Sequence, residues 1–156
     1  MKPKITYRKI TNKDIDLLFE WSNDELTREN SFNTNRIDYV EHQEWFLKKI
    51  NNKNALYLIS EVNNIPAALI RFDMEKDFAL MGINLDKKFR GKGLSFIFLN
   101  DCCILFFEKY KLPIKAYIKD NNFASINIFL KAGFILEETI VYKNQKTHVY
   151  EKTAKI

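Results

Sequence analysis

Apolar residues recur along this 156-residue chain with two periods, and the switches between them mark the elements. A period of two signals a strand and one near 3.6 signals a helix. Lys4 to Ile10 alternates weakly and reads as a strand. Thr11 followed by Asp14 resembles a capping box, and Ile15, Leu18 and Phe19 then give helical spacing to about Trp21. Ser22 to Arg36 is polar and aperiodic, a loop with a helical turn near Asp24–Arg28. Asp38 and Glu41 open a second helix running to about Ile50, with Tyr39, His42, Phe46 and Ile50 on nearly one face. Ala55–Val62 and Ile65–Phe72 read as a hairpin about Asn63-Asn64. After a turn at Asp73–Asp77, Phe78–Leu85 is the third strand. A long helix from Leu94 to Tyr110 stops at Leu112-Pro113, since the residue before proline disfavours helix. Ile114–Ile118 is a buried-looking strand, Asp120–Lys131 a short helix capped by Gly133, and Ile135–Tyr142 with Thr147–Lys152 a final hairpin about residues 143–146. The order β-α-α-β-β-β-α-β-α-β-β predicts an α+β fold. Antiparallel strands come first, followed by a βαβ-like passage from Phe78 to Ile118.

Between the third strand and the long helix lies the basic loop Lys88-Phe89-Arg90-Gly91-Lys92-Gly93-Leu94-Ser95. The first turn of a helix has unpaired N–H groups and the positive end of the macrodipole, so it binds anions such as phosphates. Gly91 and Gly93 let the backbone approach a ligand closely. The loop is not a P-loop, because GxxxxGK[ST] is absent, nor a dinucleotide fingerprint, because the third glycine is missing. Taken alone it is equally a solvated turn capping a helix.

Composition narrows the partners. The formal charge is +5, but the positive residues are scattered, and the sharpest cluster is the 87–92 loop. That distribution fits a small phosphorylated ligand and argues against nucleic acid. Cys102 and Cys103 are adjacent within an apolar helix, where a vicinal disulfide would be strained, so they read as reduced core residues in a reducing compartment. The start of the chain carries no apolar secretory run, and the most apolar window, Phe96 to Phe107, is too short and too polar to span a bilayer. One domain over residues 1–156, cytoplasmic and soluble, is expected.

Two segments give the loop a context. Lys88-x-x-Gly91-x-Gly93 resembles the (Gln/Arg)-x-x-Gly-x-(Gly/Ala) signature of the GNAT N-acetyltransferases, with Lys in first position. Asn122-Phe-Ala-Ser-Ile-Asn-Ile-Phe129-Leu-Lys131-Ala-Gly133-Phe134 is similar to a second GNAT segment. The resemblance covers nearly the whole chain. It implies the GNAT fold, a mixed and mostly antiparallel sheet in which the Phe78–Leu85 and Ile114–Ile118 strands splay and acetyl-CoA lies in the gap. It also implies cofactor contacts from Ile83, Leu85, Lys88, Arg90, Gly91, Lys92, Gly93, Leu94, Ser95, Asn122, Phe129 and Lys131. A backbone N–H near Gly82 would polarise the thioester carbonyl. Phe129 stands where many GNAT proteins carry a tyrosine that protonates the leaving thiolate. The acid is then Tyr142, Tyr117 or Ser125, or the thiolate departs unassisted, or the protein binds acetyl-CoA without catalysis. For the base, the third strand offers no carboxylate, which leaves His42, equally readable as a core histidine, and His148, which reads first as a partly exposed sheet residue.

The acceptor side rests on Trp21-Ser-Asn23-Asp24, Arg28, Ser31, Ile37, Glu41-His42 and Trp45. This pattern looks like that of amino-sugar nucleotide N-acetyltransferases of the pseudaminic acid pathway. It implies Trp21 or Trp45 stacking on a sugar or base and Arg28 on a diphosphate, with Asn23, Ser31 and His42 beside them. Both tryptophans are also readable as core and Arg28 as a solvated charge. The expected partner is a small acceptor amine, a nucleotide-linked amino-deoxy sugar, for a monomer or homodimer. The alternatives are a protein N-terminus or small amine as acceptor, or a non-catalytic acetyl-CoA-binding module.

Overall fold

A computed structural model describes residues 2–155 of the chain. The strands are β1 (Ile5–Lys9), β2 (Ala55–Val62), β3 (Ile65–Met74), β4 (Ala79–Leu85), β5 (Ile114–Lys119), β6 (Ile135–Tyr142) and β7 (Gln145–Lys152). The helices are α1 (Ile15–Ser22), α2 (Glu25–Asn30), α3 (Tyr39–Ile50), α4 (Leu94–Lys109) and α5 (Phe123–Lys131). All seven strands join one sheet in the order β1-β2-β3-β4-β5-β7-β6. Neighbours are antiparallel except β4 and β5, which pair in parallel across the α4 crossover. That parallel pairing covers only Ala79–Ile114 and Leu80–Lys115, and beyond it the two strands separate. This is the predicted α+β arrangement with its splayed central pair.

Two hairpins are set by their turns. Asn63 and Asn64 take φ of 51° and 67°, and Lys143 and Asn144 take 49° and 63°. Positive φ at both central residues is the two-residue turn whose twist matches the flanking strands. The last hairpin therefore closes on Lys143-Asn144, and Gln145 and Lys146 belong to β7 rather than to a four-residue loop. Other boundaries move for similar local reasons. The Asp24 carboxylate accepts the Thr27 N–H at 3.1 Å, so the predicted turn becomes the short helix α2. The Asn122 carboxamide caps Ser125 at 3.3 Å, which starts α5 at Phe123 instead of Asp120. β3 runs on to Met74 and takes Asp73, expected in a turn, into register with Leu80. The Thr11–Asp14 capping box forms as expected, and Arg8 holds the same Asp14 carboxylate at 2.8 Å.

Apolar clusters lie on both faces of the sheet. α4 buries Phe98, Leu99, Cys102, Cys103 and Phe106 in the cluster that includes Ile70 and Phe72, with the Phe72 and Phe106 rings stacked at 4.7 Å. On the other face, α1 and α3 bring Leu18, Trp21 and Phe46 onto Tyr57, Ile59 and Leu69. Both cysteines are free and buried, and burial pushes their thiols up, Cys103 to about 12. No helix among the described residues is long and apolar enough to cross a membrane.

Candidate active site

The splay opens a cavity of about 640 Å³ between β4 and β5. Its β4 wall is Leu80 to Leu85, and its β5 wall is Ala116 to Lys119. Gly82, Ile83 and Leu85 lie past the last β4–β5 pair, so their strand has no hydrogen-bonded neighbour on the cavity side. An extended ligand arm can pair with that edge. At one end the cavity reaches Gly91 and Ser95. Gly91 and Gly93 adopt φ of 75° and 72°, and open space lies where a β-carbon would stand on each. Gly93 is the N-cap of α4 and supplies no side-chain cap, and no acidic residue sits in the first turn. The leading N–H groups of α4 are thus free for an anion. Lys88 and Lys92 are exposed beside them and Leu94 is buried. Arg90 turns inward instead, donating to Asp24 at 2.5 Å and to the Leu85 carbonyl at 3.1 Å.

The cavity is roofed by α2 and the segment after it, which contribute Leu26, Thr27, Asn30, Ser31 and Phe32. Arg28 organises this roof. Its guanidinium donates to the carbonyls of Ser22 at 2.7 Å and Asn33 at 2.8 Å and to Ser31 Oγ at 3.0 Å. Two ties reach across the splay. Lys119 Nζ donates to the carbonyls of Glu29 and Ser31 at 3.0 and 2.8 Å, and Gln145 donates to the Phe32 carbonyl at 2.7 Å.

Several expected acceptor residues face elsewhere. Trp21 is only 5% exposed in the α1–α3 core, where its indole N–H donates to Asp86 at 2.8 Å. Trp45 packs on His42 and Tyr57 beside that core. Asn23 exchanges two 2.8 Å hydrogen bonds with the Ile37 backbone. His42 is 1% exposed, ringed by Phe19, Trp45 and Phe46. Its Nε2 lies 2.8 Å from the Ile15 carbonyl, which can only accept, so Nε2 carries the proton. The expectation of a base at His42, of stacking by Trp21 or Trp45, and of a free diphosphate contact at Arg28 is corrected by these engagements. Of the acceptor set, only Ser31 lines the cavity. Lys131 also points away, its amine 4.3 Å from the centre of the Phe96 ring.

Residues 4–135 match the family model described as an acetyltransferase (GNAT) domain. The chain belongs to the GNAT family of acetyltransferases. Acetyl-CoA is the cosubstrate of that family, and the free α4 N-terminus, the open space over Gly91 and Gly93 and the unpaired β4 edge fit it. The fold is similar to that of a spermidine N-acetyltransferase from Vibrio cholerae solved with CoA and spermine. That match has 16% identity and a TM-score of 0.86, covering 96% of this chain and 95% of that one. It is also similar to the aminoglycoside acetyltransferase AAC(6')-Ib solved with coenzyme A, with 20% identity, a TM-score of 0.84, and coverage of 96% and 95%. An uncharacterized protein from Bacillus halodurans is similar at 16% identity and a TM-score of 0.85, with coverage of 97% and 84%. No curated protein sequence matches the chain.

Within this GNAT cavity, Phe129 is buried against Phe134 with ring centres 4.9 Å apart, and it presents no hydroxyl. Tyr142, Tyr117 and Ser125 all line the cavity. The Tyr142 ring meets Tyr117 edge-on at 5.1 Å and Phe32 at 4.9 Å. Asn122 lines the cavity while capping α5. His148 is held by Asp120 at 2.7 Å and Thr139 at 2.9 Å and does not line it. Among the lining residues that escaped the sequence reading, with Phe32, Lys119 and Lys143, are two charges on β3, Arg71 and Asp73. Asp73 accepts from Lys49 at 2.7 Å and from the Tyr57 hydroxyl at 2.9 Å. The signal was available: these two charges flank Phe72 at the strand's period of two, so they share the face opposite a buried ring.

Proposed function

We propose that this N-acetyltransferase moves the acetyl group of acetyl-CoA to the primary amine of a nucleotide-linked amino-deoxy sugar. The observation that carries the acceptor class is the lining of the cavity. Arg71, Lys119 and Lys143 line it, with Arg90 paired to Asp24, against a single carboxylate, Asp73, and Phe32, Tyr117 and Tyr142 pack together as an aromatic surface. A polycation such as spermine would meet mostly like charge there. A nucleotide sugar supplies negative charge for the cations and a flat ring for the aromatics.

Acetyl-CoA supplies an activated thioester. The residues of this chain hold and orient it: the α4 N-terminus at the phosphates and the β4 edge along the arm. Asp73, the cavity's carboxylate, accepts the proton that the attacking amine must lose. As the C–N bond forms and the C–S bond breaks, the Tyr142 hydroxyl gives its proton to the departing sulfur, taking the place of the tyrosine absent at Phe129. Binding at the remote nucleotide orients the amine against the thioester. A second reading, a small free amine, draws on Asp73, whose carboxylate would attract a cationic acceptor.

Thiol release across UDP-linked 4-amino-6-deoxy sugars, free amino sugars, spermidine and peptide N-termini separates these readings. The nucleotide sugar is expected to exceed the free sugar in kcat/KM by about 10³ or more, which is roughly 4 kcal/mol of extra transition-state stabilisation. Equal use of the free sugar, or a clear preference for spermidine or a peptide, would sink the nucleotide-sugar acceptor while leaving acetyl transfer intact.

A further inference from the structure

Arg71 stands out among the charged groups of the molecule because its protein partners are missing. Its Nε is fully buried and has no hydrogen-bond partner among the described residues. The ion pairs among those residues do not include its guanidinium. The nearest carboxylate on the same strand face, Asp73, is already taken by Lys49 and Tyr57. A buried donor left unpaired carries a desolvation cost that proteins ordinarily avoid.

Its position is equally specific. Arg71 pairs with Gly82 across β3 and β4, just past the point where β4 and β5 part. The guanidinium lies over the Gly82 backbone, and a β-carbon at residue 82 would collide with Nη2 and crowd the rest of the group. Glycine at 82 is therefore what allows a guanidinium to lie flat at the mouth of the splay. A second guanidinium, Arg28, lies near enough that, after burial itself, Arg71 is what lowers its proton affinity.

We propose that Arg71 is the receptor for an anionic oxygen group of the acceptor, a phosphate or a carboxylate, held beside the reacting amine. This rests on the acetyl-transfer reading above and deepens it. A planar fork offering two parallel N–H donors matches two oxygens of either anion. The same contact fixes the acceptor's orientation at the open end of β4. It also selects against uncharged amines, because leaving Arg71 unpaired in an occupied cavity carries the full cost of its lost hydration.

The test compares wild type, Arg71→Gln and Arg71→Lys with four acceptors: a UDP-linked amino sugar, an amino sugar 1-phosphate, an amino uronic acid and the neutral methyl glycoside of the amino sugar. Arg71→Gln should reduce kcat/KM for the anionic acceptors roughly 10- to 100-fold, the worth of a charge-assisted hydrogen bond, mostly through KM. The neutral glycoside, no longer penalised by an unpaired guanidinium, should be used at least as well as by wild type, Arg71→Lys should lie between, and acetyl-CoA affinity by calorimetry should be unchanged. Losses equal across all four acceptors, or no loss on any, overturn the proposal. A guard against misfolded variants uses wild type alone. At saturating acetyl-CoA, which fills the other anion site, inorganic phosphate should compete with the acceptor, and inhibition that is absent or noncompetitive overturns the proposal. The outcomes also separate the two readings. A best acceptor bearing a carboxylate rejects the nucleotide sugar and keeps the anion contact. Equal use of neutral and anionic sugars rejects the anion contact and keeps acetyl transfer.

Discussion

At the scale of single residues, the chemistry turns on which hydroxyls and carboxylates face the cavity. Phe129 carries no proton to give, whereas Tyr142 lines the same space with Phe32 and Tyr117 packed against it. If Tyr142 protonates the leaving sulfur, Tyr142→Phe should lower kcat by on the order of 10²–10⁴ with KM for acetyl-CoA little changed. A loss below tenfold would point to unassisted departure of the thiolate, whose ordinary pKa of about 8.5 makes it a tolerable leaving group. Residue type was legible in the sequence, but orientation was not. His42 and Trp21 have the chemistry of an acceptor site, yet they occupy a helix face that the sheet buries, and each spends its polar atom on the scaffold. Arg28 has the chemistry of a diphosphate clamp and spends it on the carbonyls of Ser22, Asn33 and Asn35 and on the Ser31 hydroxyl. Nothing in local spacing distinguishes a guanidinium that meets a ligand from one that meets backbone carbonyls.

At the scale of elements, the strand–loop–helix running from β4 into α4 was readable because its signal is local. An apolar strand, glycines and a helical run follow one another directly, and the backbone conformation at Gly91 and Gly93 realises the expectation. A side chain at Gly93 would have to adopt the left-handed region, which costs roughly 1–2 kcal/mol, and would project into the open space over the helix end. That strain acts on the fold, whereas the added side chain stands where the anion must approach the N–H groups, so Gly93→Val should raise the Kd for acetyl-CoA by on the order of tenfold or more in a variant that still folds. Isothermal calorimetry with unchanged affinity would reject the loop as the phosphate site. The roof was the opposite case. α2 has six residues, too few to persist as an isolated helix. It is held by the Asp24 cap and by Lys119, a residue from β5 whose amine meets the carbonyls at the end of α2 and beyond it. A contact made across that sequence distance leaves no mark in the periodicity of residues 22–36.

At the scale of the whole molecule, the alternation of periods was enough to anticipate one mixed sheet, two hairpins and a parallel crossover, because each follows from neighbouring elements. The cavity depends instead on where distant elements are tied together, and two carboxylates make such ties. Asp14 joins the start of α1 to Arg8 on β1, and Asp24 joins the roof to Arg90 in the loop before α4. Burial alone would raise both carboxyls, but it is outweighed, at Asp14 by the Arg8 guanidinium and Thr11, and at Asp24 by Arg90 and Thr27. Both groups are held below the ordinary carboxylate range. A carboxyl whose pKa is lower in the folded state than in the unfolded chain stabilises the fold above the unfolded value. That contribution fades as pH falls through the folded value, because the unfolded chain then binds more protons. The stability of the protein should therefore be nearly flat down to about pH 5 and decline steeply from about pH 4 downward, the unfolded carboxylate value being near 3.9. Asp14→Asn should flatten that decline more than Asp24→Asn, since the Asp14 side chain is 6% exposed and that of Asp24 18%. Urea midpoints measured from pH 7 to pH 3 on the three proteins test this. If Asp14→Asn runs parallel to wild type across the acid range, the half-buried Arg8–Asp14 pair is not what couples this fold to pH.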